Sequence, residues 1–180
     1  MRKRLRSQAG FTLVEMVVVI TLLAILGVLG IGSSFMPTLL RGRDTKRKND
    51  LAQIAASLEA YINDKGRYPA SDASGRIMGC GTDAVKTACT WGGEFAMTSG
   101  TSKIIYMAVL PKDSKVSNGR GYIYQTGANG KAWKLYANLE NAKDPVLMTF
   151  SPTVSCGTAG NCNYGVSSSN ISMTTNLSSY

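Results

Sequence analysis

The 180-residue sequence predicts an α+β protein, a long N-terminal helix packed on a small antiparallel sheet. Three observations carry that prediction. An apolar run broken by few polar residues extends from Phe11 to Ile31, the pattern of a helix that is hydrophobic on every side. Leu51, Ile54, Leu58, Tyr61 and Ile62 then recur at steps of three and four, the stripe of an amphipathic helix. Further on, Asn129-Gly130 stands between two stretches rich in Tyr, Trp and β-formers, a hairpin signal. The chain divides accordingly into a basic leader (1–10), an apolar helix (11–36), its amphipathic continuation (37–66) and a globular head (67–180).

The formal net charge is +9, and most of it lies in two short runs. Arg2, Lys3, Arg4 and Arg6 fill the leader with no acid beside them, and 41–50 holds five bases against Asp44 and Asp50. A nucleic-acid surface needs bases clustered on the folded domain, and the head keeps little of the excess. A helix over 11–31 rises roughly 31 Å, the thickness of a hydrocarbon core. Three readings fit 1–34: a cleaved secretory signal, a plain signal anchor, or a leader removed from in front of a helix that stays. Glu15 decides among them. An ionised acid in the bilayer centre costs about 2.5–3.5 kcal/mol, so it marks a function and a partner. Neither of the first two readings needs it. The leader's bases hold the N-terminus on the cytoplasmic side.

The stretch Gly10-Phe11-Thr12-Leu13-Val14-Glu15-Met16, set between the basic leader and the apolar run, resembles the start of type IV prepilins and the related pseudopilins. The resemblance covers the first third of the chain. It implies that a membrane aspartyl peptidase cuts after Gly10 and that the new amino terminus, Phe11, is N-methylated. The partners it implies are that prepilin peptidase/methylase, the lipid bilayer before assembly, and an inner-membrane assembly platform with a separate ATPase. Other copies of the chain complete the set, in a helical filament at the cell surface. Glu15 then has a partner on physical grounds. The Phe11 amine is a cation at the positive end of a helix dipole, and an unpaired charge in a low dielectric is heavily penalised. Glu15 of one copy is expected to neutralise the Phe11 amine of the next and so to lock their register. The plainer alternative keeps Glu15 hydrated near the membrane interface. A pseudopilin of a secretion or DNA-uptake system is the nearest other reading; a membrane-anchored binding domain that never polymerises is the second.

Gly27, Gly30 and Gly32 each weaken a helix by about 1 kcal/mol relative to Ala, and Pro37 by about 3. A kink near Pro37 and a segment able to melt are expected there. The basic run 41–50 is expected to be solvated or to bridge to other copies. Lys65-Gly66, with Pro69 beyond, stops the helix. One continuous helix from Phe11 to Lys65 would be roughly 80 Å long.

In the head, 68–100 is rich in Gly, Ser and Thr and reads as a connecting loop with a short ordered piece near Trp91–Met97. Lys103 to Leu110 is apolar enough for a strand or short helix, ended by Pro111. A type I′ turn at Asn129-Gly130 sets Thr126 opposite Trp133, Tyr124 opposite Leu135 and Tyr122 opposite Ala137, all on one face. The other face carries Ile123 opposite Tyr136, with Gln125, Lys134 and Asn138. One apolar and one mixed side suit a sheet lying on the Leu51–Ile62 stripe. Val146 to Phe150 reads as a third strand after Asp144-Pro145. Beyond Ser151 the chain is mostly Ser, Thr, Asn and Gly, and 163–180 reads as an exposed tail or an added edge strand, its composition leaning towards exposure. This order of head elements also resembles major pseudopilins and related pilins.

The sequence has no His, which removes Ser-His-Asp, Cys-His and His-zinc chemistry. Cys80, Cys89, Cys156 and Cys162 read as disulfides of an oxidising compartment. Three pairings are open. The local one, Cys80 with Cys89 and Cys156 with Cys162, is expected because each pair brackets a short Gly/Thr-rich loop. A four-cysteine zinc site is the rival, without the usual knuckle spacing. Walker, Gly-x-Ser-x-Gly and H-E-x-x-H motifs are missing. The Asp residues have no EF-hand spacing. The calcium loop common in major pseudopilins is not recognisable between Leu139 and Phe150, so no metal is carried over. The expectation is a structural subunit with no cofactor and no catalytic residue.

Overall fold

The computed structural model describes residues 10–31, 35–115, 121–157 and 160–180. The chain divides into two units, Met1–Leu39 and Leu40–Tyr180, and the architecture is α+β with antiparallel and mixed sheets.

In the first unit, helix α1 spans Leu13–Ile31. Thr12 caps it: the Glu15 N–H donates to Thr12 Oγ1 at 3.2 Å and the Met16 N–H to the Thr12 carbonyl at 3.2 Å. This is half of a Thr-x-x-Glu capping box, written in the sequence and overlooked there. Apolar side chains from Leu13 (80 % exposed) to Val28 (76 %) stand open all round the helix. The expected membrane span, 11–36, is met only in part. Among the described residues no helix is long and apolar enough to cross a membrane.

Helix α2 spans Phe35–Lys65. The single helix expected from Phe11 to Lys65 is seen in part, as α1 and α2, with 32–34 outside the described residues. Gly27 and Gly30 fall in α1, while Gly32 lies outside the described residues. Pro37 lies within α2 as described.

In the second unit α2 ends as expected, at Gly66. Its φ is +72° and its N–H donates to the Ile62 carbonyl at 2.7 Å. The predicted loop 68–100 is instead a run of short strands. Strands β1 (Ala70–Ser71) and β2 (Ile77–Met78) pair, and β3 (Cys80–Thr82), β4 (Lys86–Thr87), β5 (Phe95–Ser99) and β6 (Ser102–Met107) form a sheet in the order β4-β3-β5-β6. Strand β3 runs parallel to β5. Pairs this short leave no periodicity to read. The second sheet is β7 (Ile123–Thr126), β8 (Trp133–Ala137) and β9 (Tyr164–Ser167) in that order.

The β7–β8 register is the predicted one, with Ile123 opposite Tyr136, Tyr124 opposite Leu135, and Thr126 opposite Trp133. The turn differs. Type I′ needs positive φ at both central residues, and among the described residues only glycines have it. The loop is a Gly127–Gly130 turn, closed by the Gly130 N–H on the Gly127 carbonyl, with Gly130 at φ +64°. Leu51, Ile54, Leu58 and Tyr61 are buried against Tyr122, Tyr124, Trp133, Leu135 and Ala137, with Phe95 and Met97 of β5 in the same core.

One further expectation is corrected. Val146–Phe150 is not a strand; β9 takes the free edge of β8, and the 146–150 segment keeps one bond of that kind, from the Met148 N–H to the Asn163 carbonyl. The 163–180 segment is not the exposed tail its composition suggests but takes the other expected form, an added edge strand, as β9. After β9 it returns over the mixed face of the hairpin, where Lys134 donates to the carbonyls of Met173 and Thr175. Gly165 permits this, since a Cβ there would stand 2.3 Å from Met173 Cε. The mixed face is therefore a second, smaller core of Tyr136, Phe150, Cys156 and Cys162.

Candidate functional site

At the N-terminal segment, Gly10 and Phe11 precede the helix and are exposed. No atom lies within 4 Å of a Cβ added at Gly10. The scissile bond expected after Gly10 thus lies in non-helical chain two residues before the cap. Glu15 is the third residue of α1, where a carboxylate meets the positive end of the helix dipole. Its backbone makes the cap bond, and among the described residues its carboxylate forms no ion pair.

The basic run 41–50 is solvated only in part: Arg41 and Lys46 are exposed, while its other charged residues are half-buried or buried. Asp44, Arg47 and Asp50 are buried. Arg47, 2 % exposed, donates from Nε and Nη2 to the two oxygens of Asp113 at 2.8 and 3.1 Å, from Nη1 to Asp44 at 2.7 Å and from Nη2 to Glu140 at 2.8 Å. Burial works against its charge, but the bonds it donates to Asp113 and Glu140 more than offset this and hold its pKa above the ordinary value. Asp44 accepts the backbone N–H groups of Glu140 and Asn141. Arg43 reaches Glu140, and Lys48 reaches Asp144 at 2.7 Å. Tyr122 donates to Asp50 at 2.6 Å, and burial followed by that bond pushes its hydroxyl pKa up. The cluster clamps the 139–146 loop onto α2.

A signal for it exists. Residues 44, 47, 51, 54, 58 and 61 continue one stripe at alternating steps of three and four, so Asp44 and Arg47 extend the buried face of α2 by two turns. Reading the stripe by hydrophobicity alone hides them. Three carboxylates converge here on a guanidinium, and among the described residues no group of His, Cys, Asp and Glu could hold a metal.

The cysteines join locally, Cys80 with Cys89 and Cys156 with Cys162. The first bridge fastens β3 beyond β4, and the second closes the loop before β9.

A basic leader, an exposed Gly-Phe junction, a capped apolar helix and an acid in its first turn define a class of N-terminally processed chain. Residues 5–31 match the family described as the prokaryotic N-terminal methylation motif. This is the prepilin-type motif of type IV pilins and pseudopilins, and the chain carries it. The motif supports a type IV pilin-like or pseudopilin substrate of prepilin peptidase. It covers the leader end and α1, and none of the head. Neither a curated protein nor a solved structure matches the chain.

Proposed function

We propose that the chain is the structural subunit of a type IV pilus-like filament, cut after Gly10, N-methylated at Phe11 and polymerised through α1. The observation that carries this reading is the motif over 5–31. The exposed apolar surface of α1 behind it supports the same reading, because a surface of that kind calls for lipid or protein around it. Before assembly the helix lies in the bilayer with its N-terminus on the cytoplasmic side. The assembly platform and its ATPase then move it into a bundle of its own copies. Glu15 of one copy pairs with the Phe11 amine of the next. A shifted register leaves both charges bare, so the pair selects register more than it adds stability.

Mass spectrometry of the mature N-terminal peptide tests the processing step. The peptide begins at Phe11 and carries one added methyl; a peptide still bearing the leader overturns the reading. Electron microscopy of cells expressing the chain tests the filament. Long surface fibres are expected, and their lasting absence in processed material favours the pseudopilin instead.

A further inference from the structure

We propose that the head binds a small organic carboxylate with an apolar body, on the side of the β7–β8 hairpin away from α2. A cavity of about 550 Å³ lies there, floored by Gln125, Lys134 and Tyr136 and walled by the 148–154 and 173–177 segments. That volume is in the usual range for small-molecule sites. Lys134 and Gln125 are direct cross-strand partners, so their side chains share this face.

Lys134 is 6 % exposed, and its Nζ donates to two backbone carbonyls, those of Met173 (2.8 Å) and Thr175. No carboxylate pairs with it among the described residues. A buried ammonium held only by neutral acceptors lacks a counter-charge, which buried charges ordinarily have. Its third N–H is left for a ligand oxygen. Beside it, the Gln125 carbonyl accepts from the Tyr136 hydroxyl at 3.2 Å, leaving the Gln125 amide N–H groups for the second oxygen. The apolar body lies against Tyr136, Phe150 and Met173. The first two already pack edge to face at 5.0 Å. The site is separate from the N-terminal segment and does not depend on filament assembly.

The test titrates the purified full chain, in non-ionic detergent, with 4-phenylbutyrate and with its neutral amide, reading heat or ligand NMR against detergent alone. Saturable binding of the acid is expected, with the amide weaker by about tenfold, the usual worth of a hydrogen bond to a charged group. Lys134→Met removes the difference between the two. Thr149→Trp keeps the ammonium, fills the cavity from its exposed wall and weakens both. Near-UV circular dichroism checks that each variant is folded; if Lys134→Met is not, Thr149→Trp decides. Equal binding of acid and amide, no saturation, or wild-type binding by Thr149→Trp overturns the proposal.

Discussion

Arg47 reaches three carboxylates through four hydrogen bonds while almost wholly buried. Removing it leaves Asp44 and Asp113 in the interior without their counter-charge. Arg47→Met is expected to destabilise the head by about 3–5 kcal/mol, seen as a lower urea midpoint at unchanged m. Arg47→Lys is no conservative exchange, because an ammonium cannot span both oxygens of Asp113. Glu15 behaves differently. Its backbone N–H makes the cap bond to Thr12, so Glu15→Ala leaves α1 capped, whereas Thr12→Ala costs the helix about 1 kcal/mol. On the filament reading Glu15→Ala abolishes fibres in electron micrographs while the chain is still cut after Gly10. Fibres of normal length and number from that variant defeat the pairing proposal.

At the scale of elements, α2 and the hairpin hold one another. Leu58 is fully buried between them, and Leu58→Ala is expected to cost about 2–5 kcal/mol in equilibrium unfolding. The hairpin register was legible because a period of two forces Tyr122, Tyr124, Trp133 and Leu135 onto one side, and a slip of one residue would turn them all outward. Strand β9 was legible only as one of two readings of 163–180, an added edge strand beside an exposed tail. Tyr164–Ser167 carries no stronger strand signal than Val146–Phe150, and its place depends on which segment reaches the open edge of β8. Gly165 helps to decide this. A Cβ there meets Met173 Cε at 2.3 Å and the Leu135 carbonyl at 2.9 Å. Gly165→Val should therefore loosen the C-terminal return by about 1–3 kcal/mol. Limited proteolysis that cuts beyond Ser167 faster than in the unaltered chain is the readout.

The whole head is set against acid. Burial raises the Glu140 pKa, but hydrogen bonding to Arg47 and the charges of Arg47, Arg43 and Lys115 outweigh it and hold Glu140 below the ordinary glutamate value. The bond from Lys48 holds Asp144 low as well. A carboxylate with a depressed folded pKa contributes stability that is present above its unfolded value and lost as pH falls through the folded one. Urea midpoints should therefore hold steady from neutrality down to about pH 5 and fall steeply below about pH 4. Arg47→Met should flatten that fall. Reducing the bridges constrains the unfolded chain less, at about 2–3 kcal/mol for each of these short loops; an unchanged midpoint in reductant would count against that estimate.

What the sequence determined by itself is whatever near neighbours decide: the leader and Gly10-Phe11 junction, the cap-and-acid start of α1, the stripe of α2, the hairpin register and the helix stop at Gly66. Each rests on residues a few positions apart, where one period or one φ preference suffices. Only the tertiary structure decided that Arg47 is interior, since Asp113 and Glu140 lie 66 and 93 residues from it. The same holds for Lys134, which is buried by carbonyls 39 and 41 residues away. A charged side chain reads as surface until its partner is known, because only a distant acceptor or counter-ion can offset the loss of water.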